Sequence, residues 1–293
     1  MPPDVFAGNL YVGLSDLTLG DKAIEFPLSI KLESTFAHIM SPITVAFARP
    51  TTGGHHPGPW KAARGGFGQD ITAQITIPTS AGPSVDDRMV IAKTIVFLLR
   101  LWTDPSIVMP ALSNIPFSQI AHADDGVAQI MPLEHRRRIF QLGLVDQSQV
   151  LDSLTWVVDN FTSALTLTKE SAEFRLAAHA LDSGQFVEDS ALILISLWGA
   201  LEAIFSPSPS ELRFRVSALI SSYLNPPGSK RMEHQKQIAE LYDKRSAAAH
   251  GKRKHDGDDV LQTFELLRQV LINMIREGKV PTRIHLENKL FGC

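Results

Sequence analysis

Two hydrophobic periods divide this chain, and the change from one to the other constrains its fold more than any other feature. Up to about Leu144 the apolar residues come in short runs, Leu10–Leu14, Pro27–Leu32, Ile43–Phe47 and Ile71–Ile77, punctuated by Pro, Gly and Ser. Gln69–Ile77 alternates apolar and polar residues over most of its length, as a strand does when it buries one face. From about Asp146 the spacing lengthens to that of a helix. Asp146–Leu167, Ser171–Leu181, Glu188–Phe205, Glu211–Leu224, Met232–Ala249 and Asp258–Glu277 each place apolar residues at helical intervals. The separators are Ser183-Gly184, Ser206-Pro-Ser-Pro-Ser210, Asn225-Pro-Pro-Gly-Ser229 and Asp256-Gly257, all rich in turn formers. In the last helix Val260, Leu261, Phe264, Leu267, Leu271, Met274 and Ile275 make one apolar stripe, which must be buried against neighbouring helices.

The expected fold class is therefore α+β: a β-rich, mixed N-terminal domain over residues 1–145, then an all-α helical bundle over 146–293. The boundary falls between Leu133 and Glu170, and one helix, about Val85–Trp102, interrupts the strands. Ser210 is placed to cap the helix that begins at Glu211, with the acid at the positive end of the helix dipole.

Composition narrows the functional classes. With 293 residues, 44% of them hydrophobic, the chain can bury a core in each half. A net charge of −3 argues against wholesale nucleic-acid binding, so any such site is local. The single cysteine, Cys293, permits neither a disulfide within one chain nor a cysteine-based zinc site, which fits a reducing cytoplasm. Met1–Phe6 lacks the pattern of a signal peptide. Val90–Trp102 and Ala191–Phe205 are broken by Lys93, Arg100 and Glu202, and read as buried helices rather than membrane spans. The expectation is a cytoplasmic protein with no membrane partner.

Several clusters invite a site and are better explained otherwise. His55 and His56 lie in the Pro- and Gly-rich stretch Arg49–Gly68, which reads as a mobile loop without a converging acidic partner, so they are read as solvated rather than as metal ligands. Asp256-Gly-Asp-Asp259 beside His255 is an incomplete calcium pattern and a good helix start. The basic run Glu134–Arg138 could touch a phosphate backbone, and reads better as the solvated face of a linker or helix end. The N-terminal half shows no Gly-rich phosphate loop, nucleophile elbow or metal-spaced His/Glu motif. Neither a metal nor another cofactor is expected.

One constellation has a distinct chemistry. Leu241-Tyr-Asp-Lys-Arg-Ser-Ala-Ala-Ala-His-Gly251 sets Arg245 and His250 at an Arg-x4-His spacing near a helix end, with Gly251 placed as the left-handed residue that closes it. Arginine offers a planar fork to phosphate oxygens, and histidine can move a proton near neutral pH. Arg49 stands at a similar distance from His55 and His56, but in the loop. Two readings of the helical pair are open: Arg245 pairs with Asp243 or Glu240 while His250 caps the helix, or the two serve a phosphodiester site. Five positions turn an ideal helix by about 140°, so a joint site needs either a distorted last turn or a second copy of the chain.

Taken together, Ser196-Leu-Trp-Gly-Ala-Leu-Glu-Ala-Ile-Phe205, the helix Leu212–Tyr223 and Leu241–Gly251 resemble the HEPN superfamily, in particular its Apea-like branch, over roughly Ser171–Gly278. The resemblance implies a dimerising helical bundle in which the Arg-x4-6-His motifs of two protomers face each other. It also implies a metal-independent endoribonuclease of a defence or toxin-like system, with RNA as substrate and a homodimer as the working form. Arg245 matches the motif arginine and His250 its histidine; Ser246 occupies the usually polar position after the arginine. Glu202, in the Leu-Glu element, either lines the cleft or pairs with a basic neighbour. In this chemistry His250 takes the proton of a ribose 2′-hydroxyl or gives one to the leaving 5′-oxygen, Arg245 holds the phosphate, and the products are a 2′,3′-cyclic phosphate and a 5′-hydroxyl. Lys252, Arg253 and Lys254 form a basic patch that either guides RNA or balances Asp256, Asp258 and Asp259. The N-terminal half would then be a sensor or regulatory module for an activating ligand or protein. The alternative is a non-catalytic HEPN module that binds RNA or a protein partner and dimerises through the bundle.

Overall fold

The structure, a computed structural model, describes residues 5–21, 23–41, 43–46, 61–64, 68–134, 149–205, 212–251 and 255–292. The chain forms two compact units: Met1–Ala92 with Ser106–His135, and Lys93–Pro105 with Arg136–Cys293. The protein is mixed: among the described residues the strands lie in the first unit and most of the helix lies in the second.

The first unit is built on an antiparallel sheet. Its strands are β1 (Leu10–Ser15), β2 (Ile24–Phe26), β3 (Ile30–Met40), β6 (Gly68–Ile77), β7 (Val108–Ser113) and β8 (Ile130–Pro132), in the order β2-β3-β6-β1-β7-β8. Two further strands, β4 (Ile43–Ala46) and β5 (Lys61–Arg64), pair with each other. The alternation in Gln69–Ile77 works as the period of two requires: Ala73, Ile75 and Ile77 are buried opposite Leu14, Val12 and Leu10. Its polar partner Gln74 is buried as well, because a 3-10 turn at Phe117–His122 covers that face. Both ends of the Gln74 amide are used, donating to Glu33 Oε1 at 2.9 Å and accepting from the Phe117 N–H at 2.9 Å. Gly13 is needed here, since a Cβ at this position would stand 2.8 Å from Phe117 Cζ.

Three sequence expectations shift in this unit. Pro27–Leu32 does not begin as a strand: Pro27–Ser29 is a 3-10 turn with Leu28 and Ser29 at φ of 64° and 58°, outside the extended region, so β3 starts at Ile30. That strand then runs on to Met40 across a bulge between Ser34 and Ala37. Within the expected loop Arg49–Gly68, Lys61–Arg64 is strand β5; Arg49, His55 and His56 lie outside the described residues.

The second unit takes up helix α1 (Val85–Leu98) from Lys93 onward, and a π-helical turn follows it at Leu99–Thr103. Its other helices are α2 (Val150–Glu170), α3 (Ala172–Gly184), α4 (Ser190–Phe205), α5 (Leu212–Leu224), α6 (Ser229–Ala249), α7 (Gly257–Glu277) and α8 (Arg283–Phe291). The segment 93–105 is tied to the helices by specific contacts. Arg100 donates to both carboxylate oxygens of Asp182 at 3.0 Å, Trp102 stacks on Trp156 with centroids 4.3 Å apart, and Ser153 Oγ donates to Thr103 Oγ1 at 2.9 Å. Helix α4 is apolar nearly all round and is accordingly central, packing on α3, α6 and α7. The α7 stripe is buried except for Leu261, which is 37% exposed near the start of the helix. Asp256 and Asp259 form a capping box at the start of α7, and Gly278 closes it at φ 66°. Among the described residues no helix is long and apolar enough to cross a membrane.

Candidate functional site

Helix α6 is polar on much of its surface and is held at both ends by α5, which runs antiparallel to it. At the α5 start Arg213 grips Asp243 through Nε and Nη2, at 2.7 and 2.8 Å. At the α5 end Asn225 Nδ2 meets His234 Nδ1 at 2.7 Å, and the Asn225 carbonyl accepts from Arg231 Nε at 3.0 Å. In the middle Gln235 Nε2 donates to Ser217 Oγ at 2.9 Å.

The inner face of α6 meets α4. Trp198 and Glu202 are four residues apart on α4, and Tyr242 and Arg245 are three apart on α6, so each pair shares one helical face. The buried Trp198 ring meets Tyr242 edge-on at 5.1 Å. Arg245 lies over the Tyr242 ring at 5.6 Å and donates from Nη2 to Glu202 Oε2 at 2.9 Å. The Glu202 and Arg245 side chains retain 20% and 24% exposure, so the pair is largely but not wholly withdrawn from water. Burial raises the Tyr242 hydroxyl pKa above its ordinary value; hydrogen bonding to Glu202 and that residue's charge add to the effect, and Arg245 partly offsets it. The ion pair uses one donor of the guanidinium fork. Glu202 Oε1, Arg245 Nε and Trp198 Nε1 are buried without a hydrogen-bond partner.

His250 occupies a different setting. It is the residue at which α6 ends, with φ −97° and ψ 16°, and its N–H reaches back to the carbonyls of Ser246 and Ala247 at 3.3 and 3.2 Å. Gly251 follows at φ 69°, the left-handed closure expected from the sequence. The His250 residue is exposed. Ser246 is half-buried. The structure thus brings Arg245 to Glu202 rather than to Asp243 or Glu240; Asp243, two residues away, faces another side of the helix and is held by Arg213. About 140° of helix separates Arg245, facing α4, from His250 at the open end.

Lys252, Arg253 and Lys254 lie outside the described residues, as do Ser210, Glu211, residues 135–138 and Cys293. Lys244 pairs with Asp259 at 3.2 Å, and His255 Nε2 meets Ser190 Oγ at 3.1 Å. Among the described residues no group of three or more His, Cys, Asp or Glu side chains is placed to share a metal ion. Tyr242, Trp198 and the Arg213–Asp243 fork are parts of this region that the motif alone does not reveal. The Trp198/Glu202 and Tyr242/Arg245 spacings are the sequence signal that could have found the inner cluster. Compared with known proteins, the chain matches no family model, no curated protein and no solved structure.

Proposed function

We propose that this protein is a HEPN-type endoribonuclease that cuts single-stranded RNA without a metal, using Arg245 and His250 from two copies of the chain. The reading is supported by one observation above the others: α6 presents a clamped arginine and, one turn and a half later, an exposed histidine at a glycine-closed end. Glu202 and the Tyr242 ring fix the arginine, and the Glu202 bond uses only one donor of its guanidinium fork, the group that would meet a phosphate. In the reaction the ribose 2′-oxygen attacks phosphorus and its proton passes to the unprotonated His250. The P–O5′ bond breaks, and the 5′-oxygen takes a proton from the protonated histidine of the second copy. Arg245 balances the charge that builds on the phosphoryl oxygens. The products are a 2′,3′-cyclic phosphate and a 5′-hydroxyl.

The test is cleavage of a single-stranded RNA by the purified chain in the presence of a chelator, with Arg245→Ala and His250→Ala as controls. Each substitution is expected to stop cutting while leaving the helical circular dichroism unchanged. A mixture of the two inactive variants should stay inactive, because every unlike dimer carries a single His250 and the reaction takes one histidine from each copy. Equal cutting by the wild type and both variants sinks the assignment.

A second reading is favoured by the Glu202 contact itself, which already neutralises Arg245. In that reading the bundle is a non-catalytic HEPN module that binds RNA or a protein partner, and Arg245 braces α6 against α4. RNA binding without cleavage under every condition selects it.

A further inference from the structure

We infer that the helical unit holds a site for a small flat ligand that carries an N–H group beside a carbonyl oxygen, the edge shared by cyclic amides and pyrimidine bases. The inference is independent of the nuclease reading. Its site is a cleft of about 270 Å³ between α3, α7 and the end of α1 with its π-helical turn. Every residue that lines it belongs to the helical unit, and neither Arg245 nor His250 is among them.

Gln185 is the observation that points to a ligand. It is 3% exposed, it lines the cleft just past the end of α3, and its Oε1 is buried with no hydrogen-bond partner. A buried oxygen left in this state costs about 1–3 kcal/mol, so a group that donates to it is expected. The two neighbouring cations are engaged elsewhere. Arg100 gives Nη1 to both oxygens of Asp182 at 3.0 Å. Arg268 donates from Nε to the Leu101 carbonyl at 2.8 Å and from Nη1 to Glu265 at 3.1 and 3.2 Å. Those bonds do not use Arg268 Nη2, which is a second polar atom to serve the same ligand.

The rest of the lining selects the ligand's shape and charge. Phe97, Leu101, Leu181 and Phe264 make apolar walls. Most of the enclosed space lies within a water radius of a wall, so the cleft suits a flat group and excludes a bulky one. A water molecule there finds polar partners at one edge only. An amine or ammonium meets two guanidinium charges, and a simple anion leaves the amide oxygen unpaired. A neutral ring meets every requirement: its faces lie on the apolar walls, its N–H donates to Gln185 Oε1, and its carbonyl oxygen accepts from Arg268 Nη2.

The experiment titrates uracil into the full-length protein by isothermal calorimetry, beside 1,3-dimethyluracil, which has no N–H, and uridine, which adds the ribose. Uracil is expected to bind saturably, and 1,3-dimethyluracil about tenfold more weakly for want of one buried hydrogen bond. Gln185→Met keeps the side-chain length and removes the amide. It should weaken uracil by about the same factor and leave 1,3-dimethyluracil unchanged, a difference that general loosening of the fold would not produce. Should that variant fail to fold, the two ligands compared on the wild type decide alone. Uridine binding as tightly as uracil assigns the cleft to a base with its sugar, and binding of uracil alone assigns it to a free ring; both support the inference. An absence of saturable uracil binding overturns it, as does equal affinity for uracil and 1,3-dimethyluracil. A crystal structure grown with uracil that shows only a water on Gln185 Oε1 overturns it too.

Discussion

The Glu202–Arg245 pair allows a quantitative test of how the candidate site is held. It is one charge-assisted hydrogen bond of 2.9 Å between side chains that are 20% and 24% exposed. Hydrogen bonds to charged groups contribute about 1.5–3 kcal/mol, and fully exposed pairs about 0.2–1 kcal/mol. Partial burial puts this pair between them, at a coupling of about 1–2 kcal/mol. Arg245→Ala loses in addition the contact with the Tyr242 ring at 5.6 Å, so it should cost about 0.5–1 kcal/mol more than Glu202→Ala. The measurement is a double-mutant cycle on Glu202→Ala, Arg245→Ala and the double variant, by urea unfolding followed through the helical signal. The double variant should be less destabilised than the sum of the singles by the coupling energy. Most of the coupling should survive 1 M salt, because a shielded pair is screened less than an exposed one. A coupling under about 0.3 kcal/mol, or one that vanishes in salt, would refute the account of Arg245 as clamped from within the bundle.

Two other predictions concern parts of the fold that the candidate chemistry does not use directly. Tyr223 and Tyr242 both have raised pKa values, caused first by burial and then by Glu277 and Glu202 respectively. In the unfolded chain these phenols ionise near pH 10 while in the fold they keep their protons. Their contribution to stability is therefore complete below about pH 10 and declines as the pH rises above it. An ultraviolet titration should show late-ionising tyrosine that Tyr223→Phe and Tyr242→Phe each reduce; ionisation of all three tyrosines near pH 10 would contradict the burial. Gly13→Ala should destabilise the sheet unit by about 1–3 kcal/mol, since its methyl group would meet Phe117 at 2.8 Å, and a neutral result in thermal unfolding would show that the Phe117 turn yields easily.

The helical half was legible in the sequence because its signals are local. Apolar spacing and the turn clusters around Ser183-Gly184, Ser206–Ser210, Asn225–Ser229 and Asp256-Gly257 bound helices that the structure places within a few residues of the expected ends. Helix α8 escaped notice because it is short and buries Leu286 but exposes Ile284 and Phe291, so no stripe announces it. The strands were harder. Strand β3 carries polar residues along an exposed face beyond Leu32, β7 contains Pro110, and β8 has three residues, so each depends on a partner strand distant in sequence. The same holds for Lys93–Pro105: the partner of Arg100 is Asp182, 82 residues downstream, and no local pattern could reveal it. At the candidate site, spacing marked Arg245 and His250 but not the carboxylate that Arg245 would choose. Asp243 is closer in sequence, but two positions along a helix it faces another side and is held by Arg213, while Arg245 turns to α4.

That choice of partner bears on how the proposed chemistry must be organised. A helix that gives its arginine to an inner carboxylate and its histidine to the open end cannot close both on one phosphate without unwinding. Yet the last turn of α6 keeps its backbone bonds up to His250. Distortion of the turn, one of the two routes open from the sequence, is thus the less economical one, because it would break the His250 and Gly251 N–H bonds that close the helix. Pairing with a second copy leaves α6 intact, for a two-fold axis sets the same two faces opposite themselves and lets each copy supply what the other lacks at that point.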